Sequence, residues 1–210
     1  METTVFVLEL IGVAAFAMSG ALTAIKKKAD IFGVIFLAVT TALGGGVIRD
    51  VLLGRFPPRM FVSYAYLLVA LIAAVAVFAD AYFRSERFYA NREKIISVNN
   101  IFDAVGLAVF TVSGMNTAML DSDNVLLILF LGVTTGIGGG ILRDVMTGTM
   151  PKVLRKQVYA TASLAGGIVY YVMFALGVNE IVSAFAGMAV IVTLRILATV
   201  FEWDLPAPVR

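Results

Sequence analysis

Long apolar stretches alternate with short polar breaks along the whole chain. Seven of the stretches reach the roughly 20 residues that a helix needs to cross a bilayer. They cover about 5–24, 31–53, 62–82, 98–119, 125–147, 157–177 and 180–201. Lys26–Asp30, Pro57 with Pro58, the charged stretch Arg84–Lys94, Asp121–Asn124, Pro151–Gln157 and Gly177–Glu180 separate them. The last break is so short that it predicts a tight helical hairpin. The expected fold is an all-α integral membrane protein with seven transmembrane helices.

The pattern is said twice. Thr40–Gly54 reads TTALGGGVIRDVLLG and Thr134–Gly148 reads TTGIGGGILRDVMTG, a constant offset of 94 residues with nine of fifteen positions identical. That period holds three spans, and an odd number makes the second copy enter the membrane from the opposite side. An inverted 3+3 repeat with an added seventh helix follows. Its units are 1–94, 95–178 and 179–210, together one membrane domain. Inverted repeats place their shared site near the bilayer midplane.

Composition agrees and removes alternatives. The chain is 60% hydrophobic and 14% charged, with mean hydropathy +0.97, where a soluble domain is nearer a quarter charged. A net charge of +2 is too small to suggest nucleic-acid binding. With no cysteine there are no disulfides and no thiolate chemistry; with no histidine the commonest metal ligand and general base is missing. No metal or other cofactor is expected, apart from a permeant K+ or Na+. The first stretch lacks a basic leader and a clear cleavage site, so it reads as a retained helix.

Loop charges set the orientation. One side carries Lys26, Lys27, Lys28, Arg84, Arg87, Arg92, Lys94, Lys152, Arg155, Lys156 and Arg210, and the other only Arg55 and Arg59. The basic side is expected to be cytoplasmic, with the N-terminus outside and the C-terminus inside. Plain topology without a targeting signal suits a prokaryotic inner membrane. Arg49, Arg143 and Arg195 stay inside spans.

Polar residues recur with the repeat. Glu9, Gly12, Phe16, Ser19 and Thr23 share one face of the first span, and 94 residues later stand Asp103, Gly106, Phe110, Ser113 and Thr117 on the fourth. Small residues and hydroxyls also form plain helix contacts and self-satisfied backbone bonds. The carboxylates differ, because a charge in a span costs a few kcal/mol. Both lie near their predicted helix starts, where the interface could hydrate them.

Each glycine in a helix costs about 1 kcal/mol relative to alanine. Gly44, Gly45, Gly46 and Gly138, Gly139, Gly140 are therefore expected to kink or unwind the second and fifth spans, freeing carbonyls for a cation or amides for an anion. Close helix approach is the competing reading. Arg49 and Asp50, like Arg143 and Asp144, point about 100° apart on a regular helix. They need not pair with each other, and the arginines are expected to reach other helices, with Asp50, Asp144, Glu9 and Asp103 as candidate partners. The glycines match neither a Walker A loop nor a dinucleotide fingerprint. Trp203, Tyr64, Tyr66, Tyr82 and Tyr159 read as interfacial anchors. Lys26–Lys28 is a topology signal with a weaker prospect of anionic lipid contact.

The doubled GGG-x-x-RD motif, Gly44–Asp50 and Gly138–Asp144, is followed by Gly54-x-x-Pro57 and Gly148-x-x-Pro151. In a seven-span chain of this size it resembles the prokaryotic TRIC proteins, relatives of the trimeric intracellular cation channels. The resemblance implies a homotrimer with one pore per subunit. It implies a pore built mainly from the first, second, fourth and fifth spans, kinked at the glycines, and permeation by monovalent cations, chiefly potassium. Bacterial proteins of similar sequence are also described as glycine transporters. The basic phosphoinositide motif of animal members is absent, since the matching region reads GGGVIRD.

Two functions follow. One is a passive cation channel. The other is a secondary transporter for a small zwitterion such as glycine, which an Arg and an Asp or Glu would suit. An enzyme is not expected, for no nucleophile–base arrangement is recognisable. The partners expected are two further copies of the chain, membrane lipids and monovalent cations.

Overall fold

A computed structural model describes residues 2–84, 92–155 and 158–203. Of the loop charges named above, Arg87, Lys156 and Arg210 lie outside the described residues. The described chain is helical throughout: α1 (Glu2–Lys26), α2 (Ile31–Leu52), α3 (Arg59–Val62), α4 (Tyr64–Phe83), α5 (Arg92–Met119), α6 (Val125–Met146), α7 (Lys152–Arg155), α8 (Ala160–Ala175) and α9 (Glu180–Val200). Among the described residues, six helices are long and apolar enough to cross a membrane. The sixth expected span, 157–177, is shorter than read from hydropathy: α8 has 16 residues.

Helix ends obey local chemistry that also repeats. Asp30 accepts the Gly33 N–H at 2.7 Å, and its counterpart Asn124 accepts from Leu126 and Leu127 at 3.0 and 3.2 Å. These side chains satisfy amides that the first turn leaves free. At the other end Gly54 (φ +67°) and Gly148 (φ +63°) take the left-handed turn that ends a helix. The chain then folds back, with Arg55 N–H on Asp50 O at 2.8 Å and Thr149 N–H on Asp144 O at 2.9 Å.

Four helices form the core. α1 packs on α2 and α5, and α6 packs on α5 and α2. Outside this ring α4 lies on α1 and α2, while α8 lies on α5 and α6. α9 packs on α5 and α8.

The glycine triplets are not unwound. Hydrogen-bonded α-helix runs through both, so their carbonyls stay in the helical ladder and are not free for a cation. Their middle members make the α2–α6 crossing instead. A Cβ on Gly45 would overlap the Thr135 carbonyl oxygen, and one on Gly139 would overlap that of Thr41. Backbones this close need glycine. Where lipid removes any hydrophobic drive between helices, such packing holds them together. Gly20 and Gly114 repeat the device: a Cβ on either would lie 2.7 Å from the hydroxyl of Thr41 or Thr135.

Candidate functional site

Among the described residues, every buried charge of the core belongs to one of two clusters, one level with Glu9 and Ser113 and the other with Ser19 and Asp103. The first surrounds Glu9, which is 3% exposed. Ser113 donates to its Oε1 and Tyr66 to its Oε2, each at 2.5 Å. Arg59 Nη1 lies 3.5 Å and Arg49 Nη1 4.0 Å from Oε1. Arg49 Nε donates to Asp50 at 2.8 Å, and the second Asp50 oxygen accepts the Arg59 N–H at 2.8 Å. Asp50 thus holds both its neighbouring arginine and the first amide of α3. A cavity of about 30 Å³, lined by Glu9, Arg49, Asp50, Arg59, Gly46 and Tyr66, lies here. It has room for about two waters.

The second cluster is the counterpart 94 residues on. Asp103 is 0% exposed. Arg143 Nη1 donates to it at 2.5 Å, and also to Ser19 Oγ at 2.8 Å. Arg143 Nε donates to Asp144 at 2.9 Å, whose other oxygen accepts the Lys152 N–H at 2.8 Å. Lys152 Nζ and Arg195 Nη2 approach Asp103 at 3.4 and 3.7 Å. Lys152 lies outside the spans. Burial pulls its pKa down, and Asp103 opposes that pull. The Arg195 guanidinium lies 4.6 Å from the centre of the Tyr159 ring. A cavity of about 560 Å³ opens beside this cluster, lined by Lys26, Lys27, Asn99, Asp144, Lys152 and Arg195.

Between the clusters the bundle is shut. Phe16 and Phe110 stack with centroids 5.4 Å apart. A Cβ on Gly12 would meet Val109 and Phe110, and one on Gly106 would overlap Phe16. By helix rise, ten residues separate the level of Glu9 from that of Ser19, about 15 Å.

Several expectations are corrected. Each arginine does pair with the neighbouring aspartate, because its long side chain curls back across the 100° step. Only Arg143 also makes a close bond to another helix. Asp103 is not hydrated at an interface, since α5 begins at Arg92 and puts it three turns inside. Thr23 and Thr117 bond back to the Ser19 and Ser113 carbonyls at 2.8 and 2.9 Å; Thr117 thus serves its own helix, while Thr23 also accepts from Asn99 Nδ2 on α5 at 3.4 Å. Gly44 faces Leu142, Gly138 packs on Ile48 and Gly45, and Gly140 abuts the Tyr159 hydroxyl; only Gly46 borders a cavity of the site. Tyr64 and Tyr82 are exposed like anchors, but Tyr66 and Tyr159 are buried in the clusters. Sequence reasoning also missed Arg59 and Lys152, counted as loop charges. Their signal was a basic residue close behind the equivalent prolines Pro57 and Pro151, although Arg59 and Lys152 themselves stand one place out of register.

Fold and site define a multi-pass helical membrane protein whose ionised groups meet inside the bundle. The sequence model of the family described as "Glycine transporter" matches twice, at residues 6–81 and 100–175. A UPF0126 membrane protein of Vibrio cholerae is 37% identical over 205 residues, 97% of this chain and 81% of the relative. The UPF0126 inner membrane protein YadS of Escherichia coli K12 is 38% identical over 207 residues, 97% and 95% of the two chains. The chain belongs to this TRIC/UPF0126 family. Among solved structures, a prokaryotic TRIC channel in 0.5 M KCl superposes with a TM-score of 0.88 at 34% identity, covering 98% of this chain and all of the other. The trimeric intracellular cation channel orthologue of Rhodobacter sphaeroides gives 0.85 at 33% identity, with 96% and 100% covered. These structural relatives are described as channels, not enzymes, and the chain shares their fold.

Proposed function

We propose that the protein is a monovalent cation channel, permeable to potassium, with one ion path inside each subunit of a homotrimer. The observation that carries this reading is the pair of buried carboxylates, Glu9 and Asp103, at opposite ends of one core of α1, α2, α5 and α6. Glu9 is held by two hydroxyls and two arginines, and Asp103 by Arg143, Lys152 and Arg195. Carboxylates so placed offer a cation two stations along one axis. The solved relatives, described as TRIC cation channels, support the same reading.

In this account the chain has seven spans, α8 being the short one, and two inverted halves, 1–94 and 95–178, with 179–210 added. It lies in a prokaryotic inner membrane, N-terminus outside and the lysine-rich end cytoplasmic. The cavity beside Asp103 is then the inner mouth. In this reading the stacked Phe16 and Phe110 close the path between the two carboxylates. A bend of α2 and α6 at the triplets, loosening the Gly45–Gly139 crossing, is the motion assigned to opening.

The test is planar-bilayer recording with purified protein, which is expected to yield unitary potassium currents. Their absence, together with saturable glycine uptake into proteoliposomes, would replace the channel with a zwitterion carrier. Asp50→Asn and Asp144→Asn are expected to alter conductance or ion selectivity. If folded variants conduct as before, both aspartates serve structure alone.

A further inference from the structure

The two clusters are equivalent in sequence but not in charge. Around Glu9, Arg49 and Arg59 face two carboxylates, Glu9 and Asp50. Around Asp103, three cations, Arg143, Lys152 and Arg195, face two carboxylates, Asp103 and Asp144. The surplus charge is Arg195. It comes from α9, which has no counterpart in the repeat, so nothing in the first cluster matches it.

The surplus charge coincides with unused donors. Arg143 Nη2, Arg195 Nε and the Tyr159 hydroxyl are buried without a hydrogen-bond partner. Among the described residues, no side-chain atom of the Glu9 cluster is in that state. The three sit together around one ring. A Cβ on Gly140 would lie 2.8 Å from the Tyr159 hydroxyl and 3.6 Å from Arg143 Nη2, and the Arg195 guanidinium covers the face of the same tyrosine. The fourth unpartnered atom, Asn99 Oδ1, is an acceptor on the wall of the neighbouring cavity.

A buried donor without an acceptor destabilises the fold, and an uncompensated buried charge does so more. One ligand would remove both penalties: an acceptor that carries negative charge. Size and charge are bounded too. The Gly140 contacts leave little room, and an excess of one positive charge suits a monovalent ion better than phosphate. The cavity of about 560 Å³ reaches Arg195, and on its wall Lys26, Lys27 and Lys152 outweigh Asp144, so that it attracts anions.

We propose that the Asp103 cluster binds one small monovalent anion, of chloride size, against Arg143 Nη2, Arg195 and the Tyr159 hydroxyl. The anion neutralises the cluster and completes its hydrogen bonding. The inference does not need the channel reading. Where that reading holds, the anion also removes a positive barrier from the cation path.

Two measurements decide it. Crystals of the intact protein grown or soaked in bromide are expected to show an anomalous peak touching Arg143 Nη2, Arg195 or the Tyr159 hydroxyl. Melting in detergent is compared in sodium chloride and sodium gluconate at equal ionic strength. Chloride at ten times its Kd is expected to raise the Tm by about 4 °C, saturably. Arg195→Gln is expected to abolish that rise, Tyr159→Phe to weaken it, and Lys94→Gln, exposed at the same end, to leave it unchanged. If Arg195→Gln does not fold, Tyr159→Phe and the bromide map carry the test. No bromide peak with equal melting in the two salts would overturn the inference, as would a chloride effect that survives Arg195→Gln. A bromide peak in a protein that passes no current would keep the anion site and discard the channel.

Discussion

Ser113 on α5 donates its hydroxyl to Glu9 Oε1 on α1 at 2.5 Å, and this bond joins the two halves of the repeat. Its counterpart works in the opposite direction. Ser19 on α1 accepts from Arg143 on α6 at 2.8 Å. Each half therefore supplies one hydroxyl to the charge cluster centred on the other half's carboxylate. Each cluster is thus completed by one residue of the other half.

Two neighbours in one glycine triplet should answer alanine in opposite ways. A Cβ on Gly45 overlaps a carbonyl of α6, whereas one on Gly46 finds only Arg49 Nη2, 4.0 Å away. Gly45→Ala is expected to cost about 3 kcal/mol or more, because a packed backbone crossing must open. Gly46→Ala is expected to be neutral or to gain up to about 1 kcal/mol from helix propensity. Equilibrium unfolding in mixed micelles checks the order. Equal losses would show that the triplet acts as a flexible unit and not through its middle member.

Asp103 should be the costliest carboxylate to neutralise. Asp103→Asn leaves Arg143, Lys152 and Arg195 without their shared counter-charge, and breaking a buried pair typically costs about 3–5 kcal/mol. Glu9→Gln keeps an acceptor for one hydroxyl, and Arg59 beside it is half exposed, so about 1–3 kcal/mol is expected. The ratio of the two losses in the same unfolding assay is the measurement. The reverse order would mean that solvent reaches the second cluster.

If the stacked rings close the passage, shortening one should loosen it. Phe110→Ala removes one half of the pair that stands between the clusters. Open probability or unitary potassium conductance is expected to rise several-fold, alongside a stability loss of about 3–5 kcal/mol. Currents identical to wild type would place the ion path elsewhere.

Charge pairs in the loops should matter far less. Arg55 and Asp121 form a two-pronged bond at 2.9 and 2.7 Å that links the loops after α2 and α5, but both side chains are more than a third exposed. Arg55→Gln is expected to lower stability by no more than about 1 kcal/mol, with the loss fading in high salt. Melting curves at low and high ionic strength separate this from a buried role.

Most of the scaffold was legible because hydropathy and the 94-residue offset are properties of the chain taken in order. The breaks ending at Asp30 and Asn124, the doubled motif ending at Gly54 and Gly148, and Glu9 with Asp103 as counterparts all follow from that offset. The triplets were misread. Three glycines lower helix propensity, but the cost of unwinding in an apolar bundle is larger, and the close crossing on Thr41 and Thr135 gives them another use. Tyr66 and Tyr159 were misread for a similar reason: a tyrosine near a span end looks like an anchor until a neighbouring helix covers it.

The order of residues by itself determined which segments are apolar, how they repeat and which polar side chains share a helical face. Those depend only on transfer energies and on 3.6 residues per turn. Tertiary structure alone decided that Arg143 meets Asp103 and Ser19, that Arg195 brings an unmatched charge beside them, and that Phe16 and Phe110 stack between the clusters. Such pairings depend on which helix lies alongside and how deeply it excludes solvent, and one helix's periodicity holds no record of its neighbour.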